Sequence, residues 1–363
     1  MARLLRRGRR ADHERRGRWT IDPVSHAVIG SAVAALAPGG VHPAVVWGAL
    51  LGAEAPDIDF VVRYIKGSVG YLKEHRGPTH GLAVQPVLAL LIAAGLRLLM
   101  PTAPFWQVFW FTLAGCLSHV LSDFGNDYGT QGFWPFSTRR IALDLIPIVD
   151  IRLLGIIGVG WLLNGLLAVE RGLLFPGVWV AIGLYVYARY QQHKRAHAVV
   201  ANRFDLTPDC GERAACGHGW TEDRVSIHPT LFSWNAWRYV LQQPGEFWTG
   251  MLWVGEGRVS EPEKATNTYD QIVLASLKSS VVTAFASWAR RPRVQVTAQG
   301  GLYEIRWTDM RYEVDGFAPF QAYAWLDSDL TLVDEGLQGK QRPVITRAMV
   351  QRRLRREMGL MEP

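Results

Sequence analysis

The chain has 363 residues, 49% of them hydrophobic, and a formal net charge of +7. That length accommodates two domains, and the apolar fraction excludes a disordered or low-complexity chain. Eight arginines against Asp12 and Glu14 in the first 18 residues account for +6 of the charge, so the basic surplus is a terminal feature and nucleic acid is not an expected partner.

The basic tail, residues 1–20, precedes apolar sequence and reads as a cytoplasmic anchor near anionic lipid. No compact apolar stretch with a small-residue cleavage site follows Arg18 directly, so a cleaved signal peptide is not expected. Asp22-Pro23 is a helix start with Asp at N-cap and Pro at N1. The first helix runs from Val24 to about Ala37. A second runs from Pro43 to about Ala53. Both are too short to span a bilayer upright, which predicts a re-entrant hairpin or two helices buried within a bundle. Four longer apolar stretches follow, Leu82–Met100, Phe105–Leu121, Leu153–Val169 and Leu173–Ala188, each near spanning length. Short connections at Pro101–Pro104 and Glu170–Gly172 make them two hairpins. Loops 54–81 and 122–152 then share one side with the segment after 188. Those segments are rich in Arg and Lys, and the opposite turns are not, which places the loops in the cytoplasm.

Beyond about residue 220, short aromatic and β-branched runs bounded by Gly, Pro and Asp predict strands at Trp237–Val240, Phe247–Val254, Val294–Thr297, Leu302–Thr308 and Phe320–Leu326. Asn267–Arg290 has helical spacing. Pro343–Met361 reads as a basic terminal helix. The expected fold is an all-α membrane-embedded helical bundle followed by a smaller cytoplasmic α+β, β-rich C-terminal domain. The expected divisions are a tail at 1–20, the bundle at 21–190, a linker at 191–220, the β-rich domain at 221–340 and the basic helix at 341–363. Cys116 reads as inert packing. Cys210 and Cys216 with His218 form half a zinc site at most.

The chemistry lies in two histidine–carboxylate patterns. His119 and Asp123, at i and i+4, share one helix face inside an apolar segment, where ionisable groups are costly and mark function. His with Asp suits a divalent metal. Pro56-Asp57-Ile58-Asp59 presents two carboxylates, of which one or both ligate while the other orients a histidine; a plain turn with Asp caps is the alternative. His75 and His80 bracket a Gly-Pro turn. His26 is either a ligand or a packed helix histidine. Asp150 is a helix cap, a supporting carboxylate or a ligand, and Asp144 is similarly open. The expected metal set is therefore His26, Asp57, His75, His80, His119 and Asp123, around a divalent ion, Zn by preference. Asp59 is the expected base, and Arg76 or Arg139 the stabiliser of an anionic transition state.

The ordered motifs Asp22–His26, Pro56–Asp59, His75–His80, Ser118–Asp123, Tyr128–Thr130, Pro135–Arg139 and Ile148–Asp150 resemble the YdjM-like family over roughly residues 20–190. Its members are described as LexA-binding, inner-membrane-associated or membrane-bound metal-dependent hydrolases. The resemblance implies a metal site at the inner membrane. Pro229–Tyr239 and Trp307–Arg311 resemble the C-terminal region of longer members, with a variant order around Asp309. A more distant likeness to zinc-dependent phospholipase C enzymes implies phosphoester hydrolysis at a multinuclear site. Lipid bilayer, a lipid or phosphoester substrate and a protein partner for the C-terminal domain are the expected contacts. The rival readings are a non-enzymatic membrane scaffold and a transporter.

Overall fold

The computed structural model describes residues 23–167, 169–206, 224–313, 318, 320–339, 351 and 354–360. The N-terminal arginines, Asp22, Cys210, Cys216, His218 and most of the basic terminal segment lie outside the described residues. The chain forms two compact units. One comprises Ile21–Ile65 and Glu74–Arg195; the other includes Lys66–Lys73 and Ala196–Pro363.

The first unit is helical. Helix α1 (Pro23–Ala34) and helix α2 (Pro43–Glu54) are rich in Ala and Gly, and Ala32, Ala44, Ala49 and Ala53 are fully buried. They are buried within the bundle. A 3-10 helix at Ala55–Val61 and helix α3 (Val62–Glu74) follow, then a 3-10 turn at Pro78–His80. Helices α4 (Gln85–Leu99), α5 (Phe105–Gly125), α6 (Ile151–Leu167) and α7 (Arg171–Arg203) complete the series. Small residues set the α2–α5 spacing. A Cβ on Gly52 would lie 2.2 Å from the Thr112 carbonyl oxygen, and one on Gly115 would lie 2.3 Å from that of Ala49. Such close approach is typical of helices packed by shape in lipid.

Among the described residues two helices, α5 and α7, are long and apolar enough to cross a membrane. At ~1.5 Å per residue, α5 reaches about 31 Å, the thickness of a hydrocarbon core. The expectation of four near-spanning stretches holds only in part, because α4 has 15 residues and α6 has 17. Helix α4 starts late because Leu82 donates its N–H to Gly132 rather than entering a helix. Helix α7 continues to Arg203, through the first part of the expected linker.

The second unit contains two antiparallel sheets. The first comprises β1 (Val225–Pro229), β2 (Ala236–Gln243), β3 (Glu246–Trp253) and β4 (Arg258–Val259) in that order, with β5 (Glu263–Thr266) also on β3. The second is a meander of β6 (Pro292–Gln299), β7 (Leu302–Asp309), β8 (Phe320–Leu326) and β9 (Leu332–Gly339). The predicted helix at Asn267–Arg290 is two helices, α8 (Gln271–Ser276) and α9 (Ser280–Trp288). Asp270 and Ser279 each cap one of them. Trp237, Tyr239 and Leu252 pack with Ala196 and Val200 in the core of this unit.

Candidate metal centre

The segments that bear the candidate ligands meet within the helical unit. Helix α2 ends at Glu54, where the chain passes directly into the 3-10 helix. The Ala53 carbonyl oxygen lies 2.6 Å from His119 Nδ1. A carbonyl only accepts, so Nδ1 carries the proton and Nε2 is left with a bare lone pair.

His119 Nε2 faces three candidate ligand atoms. His80 Nε2 lies at 3.2 Å. Asp57 Oδ1 and Asp123 Oδ2 each lie at 3.7 Å. His80 Nε2 in turn lies 3.5 Å from Asp57 Oδ1 and 3.3 Å from Asp123 Oδ2. The four atoms thus form two triangles sharing the His80–His119 edge. Ligands ~2.0–2.2 Å from a tetrahedral ion stand roughly 3.3–3.6 Å apart, close to these edges. His80 and His119 are completely buried, and Asp57 and Asp123 nearly so.

Charge supports the same conclusion. Among the described residues, Asp57, Asp59 and Asp123 are buried around one buried guanidinium, Arg76. Two negative charges remain for histidine protons or a cation, and buried charge demands such compensation. Burial works against a charged His80, but hydrogen bonds to Asp123 and Asp57 outweigh it and raise the ring to about 9. Burial likewise opposes ionisation of Asp57, yet its hydrogen bond to His80 and the nearby His119 hold the carboxyl below its ordinary range.

Two flanks extend the cluster. Asp59 Oδ1 lies 3.1 Å from His75 Nδ1, and Asp59 Oδ2 lies 3.6 Å from His80 Nδ1. Asp59 therefore orients His75 and lies beside His80, whose Nδ1 is 3.2 Å from Thr79 Oγ1. Asp57, Asp59 and His75 also form a set with ligand atoms within 4.8 Å of one another. On the other side, His26 stacks on His119 with ring centroids 3.7 Å apart. Its Nε2 lies 3.7 Å from Asp123 Oδ1.

The two arginines expected to steady a transition state are placed differently. Arg76 is buried, with Nη2 3.0 Å from Asp123 Oδ1 and Nη1 donating to Asn126 Oδ1 at 2.8 Å. Its N–H donates to Asp59 Oδ2 at 2.8 Å. It adopts φ 54°, a left-handed conformation costing roughly 1–2 kcal/mol, and these bonds hold it there. Arg76 thus fixes the Asp123 and Asp59 carboxylates. Arg139 is exposed, and the structure does not bring it to the cluster. Its neighbour Arg140 instead donates to the carbonyls of His75 and Gly129. Asp150 caps α6 through the N–H groups of Arg152 and Leu153 and accepts from Tyr185 at 2.5 Å. Asp144 is buried at φ 54° and belongs to none of the candidate ligand sets found among the described residues. Asn126 is the supporting residue that spacing alone did not single out.

Residues 21–196 match the model of the YdjM inner membrane protein family. This region is similar to that family over nearly its whole helical unit. Residues 271–338 match the YfhP C-terminal alpha/beta plait domain, in agreement with α8, α9 and the β6–β9 meander. The chain is also 27% identical to the uncharacterized protein YfhP of Bacillus subtilis over 336 residues, 86% of this chain and 93% of the relative. No solved structure matches. All of the clustered histidines and aspartates fall within the region that matches the YdjM family model.

Proposed function

We propose that the chain is a multi-pass inner-membrane, metal-dependent hydrolase acting on a phosphoester or lipid-like substrate. The observation that carries this reading is the shared His80–His119 edge, flanked by Asp57 and Asp123 at 3.2–3.7 Å. Two imidazole nitrogens facing each other at that distance need a proton or a cation between them. Asp57, His80, His119 and Asp123 would hold the ion, and His26 extends the set from the Asp123 side. The mixed nitrogen and carboxylate donors suit Zn²⁺.

An ion there would supply Lewis acidity and lower the pKa of water toward neutrality. The remaining work belongs to the chain. His75 is half-buried, the most open histidine of the cluster, and Asp59 holds its Nδ1. The pair is placed to accept a proton at His75 while Asp59 steadies the ring. Arg76 keeps Asp123 Oδ1 occupied and leaves Oδ2 turned to the histidines. The helices keep bulk water from the buried carboxylates.

The test is turnover of a lipid-like phosphoester by the detergent-purified full chain. His80→Ala and Asp123→Ala are expected to abolish turnover while the protein stays monodisperse. Full activity in the Asp123 variant would refute the reading. So would the absence of metal-dependent hydrolysis across phosphoester, ester and amide panels; a scaffold role would then replace it.

A further inference from the structure

The 3-10 helix that carries Asp57 and Asp59 inward carries apolar side chains outward. Asp57 and Asp59 are buried, whereas Ile58 and Phe60 are exposed. The pattern continues into α3, where Tyr64 is 81% and Ile65 74% exposed. A second exposed aromatic pair, Phe133 and Phe136, lies on the loop after α5. That loop is pinned to the ligand-bearing turn by Gln131 N–H to the Arg76 carbonyl and Leu82 N–H to the Gly132 carbonyl, each at 2.8 Å. Two exposed apolar segments therefore flank one cluster.

A soluble surface rarely leaves so many large apolar side chains together. Depth and charge identify what covers them. Asp123 lies within the last turn of α5, a helix of spanning length ending at Gly125. With α5 in the bilayer, its ligand end and the adjoining loops fall at headgroup depth, where aromatic and basic residues concentrate. Arg63 and Arg139 sit within these same segments, and among the described residues neither has an ion-pair partner. Aromatic rings beside such arginines fit acyl chains below and lipid phosphates above.

We propose that Ile58–Ile65 and Phe133–Arg139 form a lipid-facing rim that seats the ligand-bearing turn in the bilayer interface. An amphiphile then reaches the cluster from the membrane side rather than from bulk water. The substrate half of this inference rests on the hydrolase reading; the seating of the rim does not. The alternation of inward Asp57 and Asp59 with outward Ile58 and Phe60 couples the two, because lipid contact at the rim orients the ligand turn.

Nitroxide labels at Tyr64→Cys and Phe136→Cys test the seating. Each is introduced into the full chain carrying Cys210→Ser and Cys216→Ser and reconstituted in phosphatidylcholine–phosphatidylglycerol bilayers. Ser328→Cys, exposed in the turn between β8 and β9, serves as the aqueous control. Oxygen should collide with the first two labels more often than a water-soluble nickel chelate does, with the reverse at residue 328. Equal nickel access at all three sites would overturn the proposal. So would exclusion of both reagents from residues 64 and 136, which would mean a protein cover. Metal content of the same samples separates the two readings: a metal-loaded chain with water-exposed labels refutes the rim alone, whereas lipid-buried labels on a chain that binds no metal refute the hydrolase alone.

Discussion

His119 Nδ1 lies 2.6 Å from the Ala53 carbonyl oxygen, so the end of one helix fixes the ligand tautomer of another. The bond depends on how closely α2 and α5 approach. Gly115→Ala would place a methyl group 2.3 Å from the Ala49 carbonyl oxygen and push the helices apart. We expect a loss of about 1–3 kcal/mol, the range for overpacking, together with weaker metal binding as the His119–Ala53 bond lengthens. Thermal unfolding and zinc titration of the variant in detergent measure both.

Arg76→Lys keeps a positive charge but loses the planar fork that reaches Asp123 and Asn126 together. Metal affinity should fall roughly 10–100-fold, the usual effect of altering a group that supports a ligand. An affinity equal to wild type would mean that Arg76 does not position Asp123.

Metal binding should strengthen with pH. The His80 ring is raised to about 9 from its ordinary 6.5, so its proton stabilises the metal-free fold fully below pH 6.5. That contribution is lost as pH rises through about 9. The ion needs the neutral ring and must displace the proton across this window, giving roughly a tenfold gain per pH unit. Zinc affinity measured from pH 6.5 to 8.5 checks the slope; a flat profile would place the ion elsewhere.

Topology gives a prediction independent of metal. Reporter fusions at Pro101–Pro104 and after Arg203 should report opposite sides of the membrane, with the latter cytoplasmic. The same side for both would refute the two-hairpin arrangement.

Much of this arrangement is legible in the sequence, because each motif joins a local geometric rule to a buried charge. The i, i+4 spacing of His119 and Asp123 and the Gly-Pro turn before His80 have clear physical readings. The roles of the arginines do not. Consecutive residues in an extended segment point to opposite sides, so Arg139 and Arg140 cannot be ranked from order alone, and it is Arg140 that reaches the His75 loop. Nor does spacing reveal that Arg76 is buried behind Asp123, since that depends on the remote Asn126. Among the strands, β1 ends in Pro229 at a sheet edge, and β9 mixes Asp334, Glu335 and Gly336. Edge strands need neither alternation nor apolar character, and their pattern is correspondingly weak. The extension of α7 to Arg203 escapes a hydropathy reading because the polar run Gln191–Arg195 interrupts its apolar character.

The most direct measurement is metal analysis of the detergent-purified full chain beside His119→Ala. The wild type should retain zinc through gel filtration, and the variant should lose it while remaining monodisperse. Equal metal content in the two proteins, or none in the wild type after zinc loading, would contradict the proposed centre.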